Sequence, residues 1–205
     1  MRTDANFLMP LVEGVLRNHE AHSWSLQGFG MLRTYLGPKS DPKRFRLNLW
    51  DSRFAVPGVS TIHDHPWHFD SVIVAGCFCN VRYRMAAKLY DTTHTSRCTH
   101  NYIEIKCGPD GGMDNNQQPG SCILVAGRPE LYVGGDTYHQ EATEIHESIP
   151  YDGTVTFNER QTVGDGEHAR VFYPINEKWI DAKPRDATNA EVGEACRDSL
   201  LRWFK

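Results

Sequence analysis

The sequence contains no apolar run of the length that a membrane-spanning helix needs, which is about 20 residues. It also lacks an excess of positive charge, because 22 Lys and Arg residues face 26 Asp and Glu residues and the net charge is −4. Nucleic-acid binding through a basic surface would need a local patch, and none is evident. No dinucleotide fingerprint, phosphate-binding loop or Ser-His-Asp motif stands out. These absences favour a small-molecule partner over a nucleic acid or a membrane.

Cysteine offers no obvious pairing pattern. The chain has six cysteines, and no two of them are spaced as CxxC: Cys77, Cys79, Cys98, Cys107, Cys122 and Cys196. Residues 1–20 lack the long apolar core of a signal peptide. We expect a cytoplasmic protein with reduced thiols, and a disulfide pair is the alternative.

Short segments in which polar and apolar residues alternate recur along the chain, which is typical of half-buried antiparallel strands. In residues 44–50, for example, Phe45, Leu47 and Leu49 alternate with Arg44, Arg46 and Asn48. Frequent turns between such segments predict a β-sandwich or barrel. We expect a single domain over residues 1–205, with a barrel core at about 29–175 and helices at about 10–19 and 188–204. The polar, glycine-rich residues 108–121 predict a loop near the site.

The densest chemistry lies in residues 63–70, where HDHPWHFD holds three imidazoles and two carboxylates. Because alternate side chains of a strand share a face, His63 and His65 point the same way and Asp64 points to the other side. Two imidazoles that converge on one face can share a divalent ion. A third ligand must then come from a distant strand.

The surroundings of these histidines resemble the first motif of the cupin superfamily, G-x5-H-x-H-x(3,4)-E-x6-G. Gly58, His63, His65, Asp70 and Gly76 follow its order. Asp replaces Glu, and two gaps are one residue shorter.

A second segment resembles the other cupin motif, G-x5-P-x-G-x2-H-x3-N. Counting from Gly135, the His position falls on His146, while Glu141 and Thr143 stand at the Pro and second Gly positions and Pro150 stands at the final Asn. The resemblance covers roughly residues 45–160. It implies an all-β-dominated fold, the double-stranded β-helix or jelly-roll barrel, here with N- and C-terminal helices.

The resemblance also implies a ligand set. The second-motif His makes His146 the third ligand beside His63 and His65, and the acidic position makes Asp70 a fourth ligand or a support for one. His139 follows the same turn and is the alternative third ligand. Glu141 and Tyr138 are weaker candidates for catalytic groups.

Histidine ligands with open coordination positions suit several divalent ions. The resemblance favours Fe2+, with Zn2+, Mn2+ or Ni2+ possible, and implies a mononuclear Fe(II) dioxygenase that binds a small molecule and O2. A cupin isomerase or epimerase that uses the metal as a Lewis acid is the first alternative, and a non-catalytic metal-binding cupin is the second. One of four arginines near the histidines is a candidate clamp for a substrate carboxylate: Arg46, Arg53, Arg82 or Arg84. A homodimer is compatible with the fold.

Overall fold

The computed structural model describes residues 5–37, 43–89, 98–107, 113–161 and 168–204. Within these ranges the helices are α1 (Ala5–Arg17), a short 3-10 helix (His19–Ala21) and α2 (Asn189–Trp203). The strands are β1 (Ser25–Gln27), β2 (Phe29–Leu36), β3 (Lys43–Ala55), β4 (Ile62–His63), β5 (Phe69–Ala75), β6 (Cys77–Leu89), β7 (His100–Cys107), β8 (Met113–Ala126), β9 (Glu130–Val133), β10 (Thr137–Gln140), β11 (Ile145–Pro150), β12 (Val155–Gln161), β13 (His168–Pro174) and β14 (Arg185–Asp186).

The strands form two antiparallel sheets of seven strands each. The first sheet has the order β10-β5-β12-β3-β2-β1-β14. The second has the order β11-β4-β13-β7-β8-β6-β9, and β11 also pairs with β6. The predicted β-dominated fold with a helix at each end is therefore confirmed, and its two sheets fit a cupin-like β-sandwich.

The two helices cover one face of the first sheet. Their buried residues contact that face in one apolar core: Leu8, Val12, Val15 and Leu16 of α1, Val192, Ala195 and Cys196 of α2, and Leu26, Leu32, Leu47, Leu49, Val72, Val74, Val155 and Phe157 of the sheet. Helix α1 begins before the predicted residue 10, so Pro10 lies inside it and not in its first turn. Helix α2 agrees closely with the prediction because Thr188 and Glu191 form a capping box at its start.

The opposite face of the first sheet points between the sheets and carries polar as well as apolar side chains. On β3, Leu47 and Leu49 contact the helices, whereas Arg46, Asn48 and Trp50 point inward and are only 9%, 1% and 7% exposed. The alternation had predicted a strand with one solvated face, and that interpretation is wrong for β3. Its polar residues line the interior of the sandwich.

Two other expectations change. The loop predicted at 108–121 is wrong for its second part, because β8 runs from Met113 to Ala126, while residues 108–112 lie outside the described residues. The apolar residues after the histidines predict one strand over 71–83, but Gly76, whose φ of 90° permits a sharp turn, divides this segment into β5 and β6. A Cβ at this position would lie 2.5 Å from Thr154 Oγ1, so the turn requires glycine.

Five of the six cysteines are free thiols in the structure: Cys77, Cys79, Cys98, Cys122 and Cys196. Among the described residues, neither helix combines the length and the apolar character that crossing a membrane requires.

Candidate metal centre

Three histidines that are far apart in the sequence meet between the sheets. His63, His65 and His146 each offer a ring nitrogen, and these atoms lie within 4.8 Å of one another. Strands β4 and β11 are paired so that His63 lies directly opposite His146, and their ring centroids are 4.6 Å apart. His65 lies just after β4, with its ring 4.6 Å from that of His63. These three residues form what we call the inner histidine group.

Hydrogen bonds to the backbone orient two of the rings. His63 Nδ1 lies 2.8 Å from the Thr61 carbonyl oxygen, and His146 Nδ1 lies 3.1 Å from that of Glu144. Because a carbonyl oxygen can only accept, each Nδ1 carries the proton and donates it. The lone pair of each ring is then on Nε2. This is how protein metal ligands are commonly held in the correct tautomer.

The surroundings of the inner histidine group favour neutral imidazoles. His146 is only 2% exposed, and burial lowers its pKa well below the usual value for histidine. Burial likewise lowers the pKa of His63 and, more strongly, that of His65, where the neighbouring histidines add to the effect. An imidazole binds a metal only in its unprotonated form. The group is therefore ready to bind a cation at neutral pH.

Asp64 anchors the segment that carries His63 and His65. Its side chain is 1% exposed and accepts hydrogen bonds from the Arg170 backbone N at 2.6 Å and from Arg170 Nε at 2.7 Å. The Arg170 guanidinium also lies 2.6 Å from the same carboxylate, and Asp64 N donates to the Arg170 carbonyl. Burial raises the pKa of Asp64 against the opposing effect of Arg170. The ion pair fixes the segment to β13.

A second tie joins this segment to the turn before His146. The backbone N of Thr143 donates to the His65 carbonyl oxygen at 2.7 Å. Thr143 has a φ of 63°, which is rare for a β-branched residue. Backbone strain of this kind persists where the surrounding structure holds it and is common at functional sites.

The other predicted ligands lie in a separate cluster at the surface. His68 Nδ1 lies 2.7 Å from Glu141 Oε2, and His139 Nε2 lies 3.4 Å from Glu141 Oε1. These three residues form what we call the outer group, and they are a second set whose ligand atoms lie within 4.8 Å of one another. Asp70 accepts from His139 Nδ1 at 2.8 Å. The structure thus brings His146, and not His139 or Asp70, to His63 and His65.

The two candidate catalytic residues, Glu141 and Tyr138, also lie at different places in the structure. Glu141 is exposed and belongs to the outer group. Tyr138 lines the cavity beside the inner histidine group, and burial raises its pKa to about 12. Its hydroxyl therefore keeps its proton at neutral pH.

A cavity of about 180 Å³ opens against the inner histidine group. Its walls include residues that the sequence did not single out as part of a site: Gln27, Arg33, Asn48, Trp50 and Trp179. Arg46, one of the four candidate arginines, also lines it. The others lie elsewhere, because Arg53 is paired with Asp51 and Arg82 with Glu144, and Arg84 is exposed. The inward side of the alternating pattern in β3 was the signal that could have identified Arg46, Asn48 and Trp50.

No protein-family model and no curated protein matches this chain.

Proposed function

We propose that this chain is a cupin-type enzyme that holds one divalent metal ion with His63, His65 and His146 and acts as an Fe(II) dioxygenase on a small molecule. The observation that carries the proposal is the convergence of three imidazoles beside a cavity, where burial favours their neutral form and backbone hydrogen bonds orient two of them. Three such ligands leave open positions on the ion, as in metal sites that perform chemistry. A bound Fe2+ would supply the open positions at which dioxygen and the substrate bind, and the electrons that reduce dioxygen would come from the substrate.

The backbone conformation of Thr143 supports the likeness to cupins. This residue stands where the second cupin motif has a glycine, and its φ is 63°. Left-handed backbone is the conformation for which glycine is usually selected. Thr143 therefore replaces the glycine of the motif but has the left-handed backbone conformation expected there, three residues before His146.

The positions of the acidic residues also bear on the chemistry. Asp70 pairs with His139 of the outer group and not with the inner histidine group. The ligands of the inner histidine group are therefore three neutral imidazoles. Neutral ligands do not reduce the positive charge of a bound ion, so the ion would attract an anionic substrate strongly. The protein's own groups orient the ring nitrogens, exclude bulk water and hold a proton on Tyr138.

The isomerase alternative needs an acid–base group beside the metal. Glu141 and His139, which were the candidates for that role, lie in the outer group, and Tyr138 is the candidate that lines the cavity. A tyrosine whose pKa is about 12 is a poor base at neutral pH. This favours the dioxygenase over the isomerase.

Metal analysis combined with a spectroscopic probe tests the proposal. We expect protein purified without added metal, or reconstituted with Fe2+ in the absence of oxygen, to hold one iron ion per chain. Nitric oxide, which occupies open positions on Fe2+, should then give a high-spin iron–nitrosyl EPR signal, and the His63→Ala variant should give none. Stoichiometric zinc or manganese with no iron binding would support the Lewis-acid enzyme instead. Failure to bind any of these metals would contradict both enzyme proposals and leave a binding or regulatory cupin that holds no metal.

A further inference from the structure

Five residues that line the cavity beside the inner histidine group carry buried side-chain polar atoms that find no hydrogen-bond partner among the described residues. Four are donors and one is an acceptor: Gln27 Nε2, Arg46 Nε, Trp50 Nε1, Trp179 Nε1 and Asn48 Oδ1. Gln27, Arg46 and Trp50 are each less than 10% exposed. An unpaired buried donor is unfavourable, and several on one cavity indicate a ligand rich in acceptor oxygens.

The charges of the cavity point the same way. Arg33 on β2 and Arg46 on β3 both line it. They are close enough that Arg46 adds to the effect of burial in lowering the pKa of Arg33, against the opposing effect of Tyr35. Two neighbouring guanidinium groups in a partly desolvated cavity repel each other unless an anion lies between or beside them.

The acidic residues of the cavity wall do not supply that anion. They are Asp64 and Asp181. Both oxygens of Asp64 are occupied by Arg170. Asp181 is exposed and lies 3.8 Å from Lys183 Nζ. No described residue of the wall therefore neutralises its positive charge from within the cavity.

We propose that the cavity binds a small organic acid whose carboxylate is held by Arg46, with the rest of the molecule facing the inner histidine group. The planar guanidinium matches a carboxylate through parallel hydrogen bonds. Donors from Gln27 and Trp50 complete the recognition. This assignment rests on the proposed function for the role of the acid as substrate, but the binding of the acid does not require the metal.

The size of the cavity limits the acid. An engineered cavity of about 150 Å³ holds benzene, which has six non-hydrogen atoms. The 180 Å³ of this cavity therefore suit a molecule of about six to nine non-hydrogen atoms. Such a molecule would reach from the arginine wall toward His63 and His65, which line the same cavity as Arg46.

Titrations with matched acids and amides test the assignment. Acetate, butyrate and benzoate are each compared with acetamide, butyramide and benzamide by ligand-observed NMR, with Zn2+-loaded protein and again after removal of the metal. We expect at least one acid to bind tenfold more tightly than its amide in both preparations. Arg46→Gln should lose this preference at least tenfold, whereas Arg84→Gln, which removes an exposed arginine, should retain it.

Several outcomes would overturn the assignment. No acid binds better than its amide in the wild-type protein, or Arg84→Gln loses the preference as fully as Arg46→Gln. If Arg46→Gln does not fold, Trp50→Phe serves as a second variant, because removing one donor should weaken acid binding several-fold, and unchanged acid binding in this variant would also overturn the assignment. Metal content is measured in every sample. Acid binding without metal binding would contradict the proposed function alone, and metal binding without acid preference would contradict this inference alone.

Discussion

The inner histidine group and the outer group both gather imidazoles, but they differ in which atoms remain available. In the inner group, backbone carbonyls bind the Nδ1 atoms of His63 and His146 and leave Nε2 unoccupied. In the outer group, carboxylates bind the rings, with Asp70 on Nδ1 of His139 and Glu141 on Nδ1 of His68. Proximity of histidines is therefore not sufficient to identify a metal site. The hydrogen-bond partner of Nδ1 is more informative, because a backbone carbonyl on Nδ1 leaves the lone pair of Nε2 for a metal ion.

Exposure separates the two groups further. His146 is 2% exposed, whereas the side chains of His68, His139 and Glu141 are 46%, 47% and 62% exposed. Water and salt screen interactions at the outer group, and exposed ion pairs contribute little to stability. An ion would have to replace contacts there that the side chains already make with one another. We therefore expect one tight site per chain, at the inner histidine group.

Loss of a ligand from the inner histidine group should have the largest effect. We expect His146→Ala to weaken Fe2+ or Zn2+ binding by at least about 100-fold, because changes even to the groups behind a ligand weaken binding about 10- to 100-fold. His139→Ala, which removes an imidazole from the outer group, should change affinity less than about threefold. Isothermal titration of metal-free protein measures both.

Two results of the same titration would contradict the expectation that only the inner histidine group binds a metal ion tightly. Wild-type protein that binds two ions of equal affinity would make the outer group a second site. Equal losses in His139→Ala and His146→Ala would mean that the two groups act together. Circular dichroism of each variant distinguishes a lost ligand from a lost fold.

The second largest difference should be in the contribution to stability of two aspartates, Asp64 next to the inner histidine group and Asp70 next to the outer group. Asp64 is buried with Arg170, whereas Asp70 is 66% exposed beside His139. We expect Asp64→Asn to lower the free energy of unfolding by about 3 kcal/mol, because a partner of a buried ion pair is removed. The matched Asp70→Asn should lower it by less than about 0.5 kcal/mol.

Urea denaturation measures both values. Metal affinity gives an independent readout, because the segment held by Asp64 carries His63 and His65. If Asp70→Asn is as harmful as Asp64→Asn, the distinction between an anchored inner group and a screened outer group is incorrect.

The limits of the sequence prediction follow from the path of the chain. The HDHPWHFD segment reads as one motif, but it crosses from one sheet to the other within its length. His63 ends β4 in the second sheet, whereas Asp70 belongs to β5 in the first. The second motif region crosses in the opposite direction, since His139 lies on β10 and His146 on β11. His139 is therefore placed opposite Asp70, and His146 opposite His63.

Local patterns recovered what depends on neighbours in the chain. The alternation in β3 and the helical spacing of α2 identified these elements, and His63 and His65 were recognised from their spacing alone. The choice between His139 and His146 depended on which sheet each strand joins, which is a property of long-range pairing. Asn48 was missed, and Arg46 could not be chosen among four arginines, for a related reason. A polar stripe such as Arg46 and Asn48 appears identical in sequence whether it faces solvent or an interior site.

The turn that separates the two groups allows a finer test, with the smallest expected effect. Thr143 is exposed and has a φ of 63°, a conformation that costs about 1–2 kcal/mol for residues other than glycine. Glycine removes this strain but loses more chain entropy on folding, by about 0.5–1 kcal/mol. We therefore expect Thr143→Gly to raise the free energy of unfolding by about 0.5 kcal/mol and to leave metal affinity within about twofold. Thr137→Gly, in the ordinary strand β10, should instead lower stability by about 1 kcal/mol. If Thr143→Gly weakens metal binding tenfold while the fold is intact, the threonine side chain contributes to positioning His146. The backbone of the turn would then not be sufficient to hold the inner histidine group in place.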